Sequence, residues 1–256
     1  MPCKLNIYEV FLLGNVHRLN FNEINLPMLS VIIPTYNEAG NIAKLINYLL
    51  INSKKEEIEI IIVDGGSVDL TLQEAKNAGA IAMLSPKKGR AAQMNYGASI
   101  AKGEVLYFIH ADTFPPASFV DDINVAISEG YSLGRYRTKF DSKKTALKFN
   151  AFFTRFDLFM CYGGDQTLFI RKELFETIGG FNEAMLIMED YEIVTRARQQ
   201  AKYKIIQKGA LVSARKYDTN SWFTVQRANY TIVQMYKKGA TQLEMVDAYK
   251  NMLRYR

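Results

Sequence analysis

The sequence predicts an α/β protein with a mostly parallel central sheet flanked by helices. In its first half, short β-branched runs alternate with segments of helical periodicity, which is the pattern of βαβ units. The chain has 256 residues, of which 48% are hydrophobic, so it can bury a substantial core without a disulfide or a structural metal. This composition excludes a disordered, collagenous or low-complexity chain.

The first half is expected to supply four buried strands and the helices between them. The strands are LSVIIP (29–34), IEIIIVD (58–64), AIAML (80–84) and EVLYFIH (104–110). The helices cover residues 41–50, 70–79 and 90–101, and another opens after Pro115–Pro116. Apolar residues from Ile42 to Leu49 recur with the spacing of one helix face. Asp69 is a candidate cap for the second helix, which Gly79 ends.

The second half is more mixed. The expected strands are 132–140, the start of 167–181, YKIIQ (203–207) and ALVSA (210–214). We predict that the strand at 132–140 is exposed. The expected helices are about 143–160, a short one within 167–181, about 190–201, and a long one from Trp222 to Lys237–Lys238–Gly239. The helix at 143–160 places the apolar residues from Phe149 to Met160 on one stripe, which favours core packing over a lipid groove.

Residues 1–27 do not follow this rhythm, so we expect a peripheral N-terminal appendage and a compact domain that starts near Met28. No apolar run reaches the ~20 residues that span a bilayer, and Glu9 interrupts the only stretch that resembles a signal peptide. Cys3 and Cys161 form no CxxC motif, which suggests a reducing compartment. These features predict a cytoplasmic protein.

Charge is distributed unevenly along the chain. Residues 1–128 carry 10 Lys and Arg against 13 Asp and Glu, whereas residues 129–256 carry 22 against 13. Between residues 193 and 238, ten basic residues accompany a single acid, Asp218. One explanation is an anionic partner such as nucleic acid, a phospholipid surface or a phosphate-bearing substrate. The other is a set of solvated basic side chains on helix surfaces.

Two acidic residues stand at the ends of predicted strands. Asp64 ends the second strand, and Asp112 lies two residues beyond the end of the fourth. In an open parallel sheet, ligands bind at the carboxyl ends of the strands. Carboxylates there can meet a ribose or base, or a divalent cation that bridges to substrate phosphates. Helix capping is the alternative role, and it suits Asp69 better than Asp112.

Several familiar motifs are absent from the sequence. It has no GxxxxGK[ST] segment, and Gly65–Gly66 does not extend to GxGxxG. GGSVD (65–69) lacks the second flank of a GxSxG nucleophile elbow. With two histidines, the chain has little material for metalloprotease or Ser-His-Asp sites. No zinc-finger, helix-turn-helix or RNA-recognition signature supports binding to nucleic acid.

Five segments occur in an order that resembles a known family. They are VIIPTYNEAGNI (31–42), VDGGSVDLT (63–71), KGRAAQMNYGASIAKGEVLYFIHADT (88–113), GGDQTLFIRKELFETIGGF (163–181) and MED (188–190). Together they are similar to family 2 glycosyltransferases with the GT-A fold, and the HADT variant resembles a bacterial branch. The resemblance covers about Met28 to Tyr236. It implies a hexosyltransferase with a Rossmann-like nucleotide-binding half at about 28–113 and a mixed acceptor half at about 114–256.

The resemblance also implies a pocket for a UDP- or GDP-sugar at the strand ends. Its residues would be Pro34, Thr35, Tyr36, Glu38, Asp64, Lys88, Arg90, His110 and Asp112. Tyr36 would lie near the base, and Asp64 would accept a hydrogen bond from a base N–H. Lys88 and Arg90 would approach the base or the diphosphate, which suits a bidentate Arg contact at a helix N-terminus. The alternative for Arg90 is a surface helix cap.

The DxD motif of the family is His110-Ala111-Asp112 in this sequence. The resemblance implies Mn²⁺ or Mg²⁺ on Asp112, together with diphosphate oxygens and water. His110 departs from the first acid of the family motif. A neutral imidazole there could bond the ribose or ligate the metal, and a buried structural histidine is the alternative.

For catalysis, the resemblance implies that Asp190 is the general base of an inverting transfer. The alternative for Asp190 is a favourable position at a helix N-terminus. The resemblance also implies contacts to the acceptor, the sugar or a phosphate, and the residues for them are Asp165, Gln166, Glu189 and Arg215. If the apolar stripe and the basic region were both exposed, they would suit a lipid-linked acceptor and peripheral contact with the inner face of the membrane.

Two other functions stay open. A sugar-1-phosphate nucleotidyltransferase would be expected to show a glycine-rich GxGxR-like loop after the first strand, which PTYNEAG (34–40) does not supply. A non-catalytic nucleotide-sugar-binding protein of the same fold is favoured by the departure at His110. Asp64, Asp112 and Asp190 argue against that second alternative.

Overall fold

The computed structural model describes residues 28–54, 57–163 and 167–254, so the predicted appendage at 1–27 lies outside the described residues. The strands are β1 (Leu29–Thr35), β2 (Ile58–Asp64), β3 (Ile81–Leu84), β4 (Val105–Phe108), β5 (Thr113–Phe114), β6 (Leu133–Asp141), β7 (Leu168–Arg171) and β8 (Tyr203–Ser213). Within the described residues these eight strands form one sheet, in the order β3-β2-β1-β4-β7-β6-β8-β5.

Helices cover both faces of this sheet. They are α1 (Ala39–Ile51), α2 (Thr71–Asn77), α3 (Arg90–Ile100), α4 (Phe119–Ser128), α5 (Thr145–Phe153), α6 (Lys172–Thr177), α7 (Glu189–Ala197), α8 (Lys216–Thr219), α9 (Trp222–Lys237) and α10 (Gln242–Met252). A short 3₁₀ turn spans Phe159–Cys161. Across the described residues, no helix is both long and apolar enough to cross a lipid bilayer.

The N-terminal part of the sheet is parallel, as predicted. β1 pairs in parallel with both β2 and β4, and β2 pairs in parallel with β3. Every residue of β1 is buried, because helices cover both faces of a parallel sheet. β7 pairs antiparallel with both β4 and β6, whereas β6 and β8 are parallel. The expected mostly parallel sheet is confirmed.

Alternate residues of β1 feed two separate apolar cores. Val31 and Ile33 pack with the buried faces of α1 and α4 on one side of the sheet. Ile32 packs on the other side with residues of α3, α7, α9 and α10. Gly97 brings α3 close to the sheet, because a Cβ built at this position would lie 2.5 Å from Cγ2 of Ile32. The backbone of α3 therefore sits at a height that only glycine permits.

Two predicted helix ends are confirmed. Gly79 follows α2 with φ 91°, and Gly239 follows α9 with φ 75°. Both are left-handed positions that favour glycine, which explains why the helices stop there. The predicted strand at 104–110 is shorter, since β4 ends at Phe108, and the predicted helix at 190–201 spans Glu189–Ala197.

The prediction of an exposed strand at 132–140 is wrong on exposure. The first four residues of β6 are buried, and β6 lies between β7 and β8. Arg135 accounts for the misleading polar pattern, because its guanidinium is buried and donates to the carbonyls of Thr154 (2.7 Å) and Phe156 (3.3 Å). A buried arginine that is bonded to carbonyl groups is compatible with an interior strand.

The prediction of one helix over 143–160 is also wrong. α5 ends at Phe153, and its apolar stripe is exposed, not packed in the core. Thr154 stands at the end of the helix, where its hydroxyl donates to Ala151 O (2.8 Å) and accepts from the N–H of Thr138 (2.9 Å). Its own carbonyl is taken by Arg135.

Two further differences lie near the C-terminus. The predicted strands 203–207 and 210–214 are one strand, β8. Its pairing with β6 shifts in register between Tyr136 and Arg137 of β6, which marks a β-bulge. α10 was not predicted from the sequence. It begins with a capping box in which Thr241 and Glu244 bond each other reciprocally.

Candidate active site

The predicted site residues of the N-terminal half share one edge of the sheet. β1, β2 and β4 are parallel, so their carboxyl ends lie together, and Thr35 is directly opposite Asp64. The chain reaches Asp112 shortly after β4 ends. Because α3 follows the parallel strand β3, Arg90 begins its helix at the same edge. This is where open α/β sheets bind ligands.

The Asp64 carboxylate organises the turn after β2. Its Oδ1 accepts from the backbone N–H groups of Gly66 (2.9 Å) and Ser67 (2.7 Å). Its Oδ2 accepts from the hydroxyls of Thr35 (3.2 Å) and Ser67 (2.5 Å). A carboxylate offers about four acceptor positions, so these bonds engage most of the capacity of this buried side chain. A ligand N–H that bonded Asp64 would replace one of the two hydroxyls.

The loop after β1 is bonded to the same turn. The N–H of Asn37 donates to Ser67 Oγ (2.8 Å), and Asn37 Oδ1 accepts from the N–H of Val68 (3.0 Å). Asn37 has φ 54°, a left-handed conformation that asparagine tolerates. Tyr36 is left 60% exposed beside this junction. Pro34 and Thr35 are buried within β1, and the Thr35 hydroxyl donates to Asp64.

Asp69 connects the two loops to their helices. Its Oδ2 accepts from the N–H of Ala39 (3.2 Å), and its Oδ1 accepts from the N–H of Thr71 (3.0 Å) and from the Thr71 hydroxyl. The bond from that hydroxyl lowers the pKa of the Asp69 carboxyl below its usual value. The N-cap of α2 is Leu70, so Asp69 lies one residue before the cap position that was predicted for it. It still accepts from the N–H of Thr71, the first residue of the helix.

Gln93 joins α3 to the strand ends, and the sequence analysis missed it. Its side-chain amide donates to Thr35 O (2.9 Å) and to Val63 O (2.8 Å). It is buried between Ala92 and Met94, which are buried as well. An amide among small and apolar residues of a helix next to a predicted site was the signal that could have identified it.

Arg215 brings together two carboxylates from distant parts of the chain. Its guanidinium forms two bonds to Glu38, and its Nε lies 3.2 Å from Asp112 Oδ2. The backbone agrees with this pairing, because the N–H of Ser213 donates to Asp112 O (3.2 Å) at the end of β8. Arg215 itself is exposed, whereas Glu38 and Asp112 are partly buried. The end of β8 thus completes the site from the C-terminal half.

A second cation joins α3 to α7. Arg90 Nε bonds Glu189 Oε1, and Arg90 Nη2 lies 3.9 Å from Asp190 Oδ2. Glu189 is 1% exposed, and its Oε2 has no hydrogen-bond partner among the described residues. Met188, with φ 71°, turns the chain into α7 so that both acids stand at the helix start. The helix dipole stabilises negative charge there.

The remaining predicted residues are less closely connected. Lys88 is exposed in the turn before α3, and its neighbour Lys87 pairs with Glu183 (2.7 Å). His110 is half-buried, two residues before Asp112. Asp165 and Gln166 lie outside the described residues.

The donor set around Asp112 fits a divalent cation shared with a ligand. In the part of the chain that the structure describes, no group of three or more His, Cys, Asp or Glu forms a metal cluster. Asp112 and Glu38 nevertheless contact the same guanidinium, so this place already stabilises positive charge. Mg²⁺ is commonly bound by one or two carboxylates and completes its shell with substrate phosphates and water.

Comparisons with solved structures establish the fold. S. aureus TarS 1–349 in complex with UDP-GlcNAc matches with a TM-score of 0.61 at 21% identity, over 73% of this chain and 59% of that one. Glucosyl-3-phosphoglycerate synthase from Mycobacterium tuberculosis matches with a TM-score of 0.62 at 15% identity, over 84% of this chain and 80% of that one. The expected GT-A fold is confirmed.

Curated relatives are also glycosyltransferases. Glycosyltransferase AglE of Haloferax volcanii is 27% identical over 67% of this chain and 62% of its own length. The undecaprenyl-phosphate 4-deoxy-4-formamido-L-arabinose transferase of Proteus mirabilis is 32% identical over 53% of this chain and 45% of its own length. The chain therefore spans less than two thirds of these relatives.

The family model described as Glycosyl transferase family 2 matches residues 30–180, which is more than half of the chain. This region contains the strand ends, the Asp64 turn, Arg90 and Asp112. The resemblance carried by the sequence motifs is confirmed, and the chain belongs to glycosyl transferase family 2.

Proposed function

We propose that this chain is an inverting glycosyltransferase that moves a sugar from a nucleoside-diphosphate sugar to an acceptor hydroxyl or phosphate. The observation that carries the proposal is the contact of Arg90 with Glu189 and Asp190. It joins a cation of the proposed nucleotide-binding half to Glu189, which lies 99 residues further along the chain, and to the adjacent Asp190. A group that stabilises a leaving diphosphate and a candidate general base thus lie side by side.

The donor would lie along the carboxyl edge of β1, β2 and β4. The exposed ring of Tyr36 offers a surface on which a base can stack. Arg90 and the first N–H groups of α3 would receive the diphosphate, and Lys88 would add charge. TarS has been solved with UDP-GlcNAc, and the mannosyltransferase PcManGT with GDP-Man and Mn²⁺, which supports a UDP- or GDP-sugar and a divalent metal here.

In the proposed reaction, a carboxylate oxygen of Asp190 accepts the proton of the acceptor group. The acceptor oxygen forms a bond to the anomeric carbon, and the bond from that carbon to the diphosphate oxygen breaks. Attack on the face opposite the leaving group inverts the configuration. Arg90 stabilises the charge that develops on the diphosphate, and Glu189 holds Arg90 in position.

Asp112, with His110 and Glu38 nearby, would hold the divalent cation. Such a cation, when bound, neutralises charge on the diphosphate. Arg215 now contacts both carboxylates, and we propose that it turns to the phosphates when the donor binds.

The acceptor is proposed to be lipid-linked. The name of the Proteus mirabilis relative specifies undecaprenyl phosphate, and that of the Aeromonas hydrophila relative does so too. Asp165 and Gln166 stay candidate contacts to sugar or acceptor from the sequence motif.

The first test is a thermal-shift panel of UDP-, GDP- and dTDP-sugars with and without Mn²⁺. A bound donor stabilises the folded state, by about 2.7 kcal/mol at a hundredfold excess over Kd. We expect one donor class to raise the melting temperature. No shift with any of them at saturating concentration would contradict the proposal.

The second test is Asp190→Asn, with Asp247→Asn on α10 as the matched control. We expect transfer to fall about 10²–10⁴-fold while the donor-induced thermal shift is retained, because only the proton acceptor is lost. Unchanged transfer would refute the role of Asp190. Retained donor binding without transfer in the wild-type chain would favour the non-catalytic alternative.

A further inference from the structure

An exposed apolar surface lies on α5 and the turn that follows it. We call it the aromatic surface, and it consists of Phe149, Phe152, Phe153, Phe156, Leu158 and Met160. Phe149 and Met160, near its two ends, are each 58% exposed. These six side chains are one third of the eighteen large apolar side chains that are exposed among the described residues. Contiguous exposure of this kind marks an interaction site.

The rings form one connected group. The ring centroids of Phe149 and Phe153 are 4.8 Å apart, and those of Phe152 and Phe156 are 5.7 Å apart. Phe152 and Phe153 join the two pairs at 5.5 Å. Leu147 faces the opposite side of α5 and is buried, so the helix is anchored to the protein by one face and presents the other to solvent.

The aromatic surface is bordered by positive charge. Lys143 and Lys148 are exposed on either side of the start of α5. The guanidinium of Arg155 lies over the ring of Phe152, 4.2 Å from its centroid. Asp157 is the only acid between residues 142 and 163, and Arg198 neutralises it with a bidentate pair. The surface therefore combines exposed rings with a net positive border.

The aromatic surface also adjoins the proposed catalytic carboxylate. The hydroxyl of Tyr191 donates to Met160 O (3.2 Å), and the ring of Phe159 lies 5.2 Å from that of Tyr191. Tyr191 directly follows Asp190 at the start of α7. The surface is thus connected, through Phe159 and Tyr191, to the start of the helix that carries Asp190.

We propose that the aromatic surface docks on an anionic lipid bilayer. Its rings enter the interface between headgroups and acyl chains, and Lys143, Lys148 and Arg155 meet the anionic headgroups. The positive border favours this occupant over an apolar face of a second copy, which would place like charges together. The link to a lipid-linked acceptor rests on the proposed function, whereas the docking itself does not.

The docking can be tested with the intrinsic fluorescence of the 256-residue chain. Trp222 is the only tryptophan in the sequence, and its indole N–H donates to Asn150 on α5 (3.2 Å). Vesicles of phosphatidylcholine with about one third phosphatidylglycerol should change its emission and sediment the protein, and raised salt should weaken both effects. Vesicles of phosphatidylcholine alone should bind more weakly.

Two pairs of variants identify the surface responsible. Phe149→Ser with Phe153→Ser should lower vesicle partitioning by about tenfold or more, whereas Ile51→Ser with Leu243→Ser, at exposed positions elsewhere, should not. All four positions are exposed, so the variants should keep the wild-type melting temperature.

A second comparison tests the positive border with two double variants that reverse lysine charges. Lys143→Glu with Lys148→Glu should weaken binding to anionic vesicles, whereas Lys76→Glu with Lys102→Glu changes the net charge equally and should weaken it less. These measurements need no donor and no turnover, so failure of the proposed sugar transfer would leave them intact.

Three outcomes would overturn the docking proposal. One is equal binding by the wild type and the Phe149→Ser, Phe153→Ser variant. The second is no binding to anionic vesicles by the wild type at low salt. The third is a wild-type dimer in sedimentation that those two serine substitutions dissolve, which would assign the surface to a second copy of the chain.

Discussion

At the scale of single residues, Glu189 shows how the fold compensates a buried charge. Its side chain is almost fully buried, and Arg90 supplies its counter-charge. A buried carboxylate without such a partner would be strongly destabilising. The ion pair therefore has two effects: it stabilises the charge of Glu189 and restrains the side chain of Arg90.

Glu189→Gln tests this restraint. The variant keeps the shape of the side chain but removes its charge, so Arg90 loses the ion pair that fixes its orientation toward the proposed diphosphate position. We expect kcat/KM to fall about tenfold, which corresponds to about 1.4 kcal/mol of transition-state stabilisation. Glu183→Gln, which breaks the exposed pair with Lys87, should change kcat/KM less than twofold. Equal effects of the two variants would count against a positioning role for Glu189.

The sequence motifs pointed to individual candidate residues but not to the contacts between them. Glu38 and Arg215 were both candidates, yet they are 177 residues apart, and nothing local indicates that they pair. Ser67 and Asn37 were not identified at all, although they hold the two loops together. Such contacts depend on which strand ends meet, which is decided by the tertiary fold.

At the scale of secondary structure, the region after β6 shows where periodicity fails. The apolar stripe predicts a helix as far as residue 160, but the capture of the Thr154 carbonyl by Arg135 ends α5 at Phe153. Periodicity also cannot distinguish a stripe that faces the core from one that faces solvent. The exposure of Phe149 could only be learned from the structure.

Arg135→Met should destabilise the protein strongly. The methionine fills much of the space but leaves the carbonyls of Thr154 and Phe156 without their donor, so we expect a loss of about 2–4 kcal/mol in the free energy of unfolding. Urea denaturation followed by circular dichroism measures it. Arg137→Met, at a half-buried position on the same strand, is the control and should cost less than half as much. Similar losses in both variants would mean that the carbonyl bonds are not the cause.

At the scale of the whole molecule, the basic C-terminal half is not one positive face. Among the described residues, five of the ten basic side chains between 193 and 238 form ion pairs with acids. Lys208 pairs with Asp122 of α4, for example, and Lys204 pairs with Glu129, which directly follows α4. The charge excess in the sequence therefore overstated the positive surface, and nucleic acid gains no support from it.

Stability should fall in acid because folded-state carboxyls have lowered pKa values. The Thr71 hydroxyl lowers the pKa of Asp69, and the bond from Lys87 lowers that of Glu183. A lowered folded pKa contributes stability above the unfolded value, about 4, and that contribution is lost as pH falls toward the folded value. We expect the melting temperature to drop between about pH 5 and pH 3.

The matched variants separate these two carboxyls from general acid effects. Asp69→Asn with Glu183→Gln should flatten the dependence of the melting temperature on pH in this range. Glu173→Gln with Asp218→Asn, at exposed positions, should leave more of the wild-type slope in place. A slope that is unaffected by the first pair would show that other groups govern the acid transition.

The parallel half of the sheet followed directly from the sequence, whereas the second half did not. Each βαβ unit pairs strands that are close in sequence, and alternating β-branched runs and helices indicate them locally. The order β7-β6-β8-β5 requires pairings over long sequence separations, and β6 lies between partners of opposite direction. No local pattern specifies such neighbours.

The glycine at position 97 has a consequence for the far end of its helix. Because Gly97 has no side chain, α3 lies directly against Ile32 of the sheet. Even the single methyl group of an alanine there would push the helix away from the sheet. The first residue of the helix, Arg90, would then be displaced from its present position. A substitution at Gly97, two helical turns from Arg90, would thus weaken the proposed donor binding without changing any residue of the candidate site.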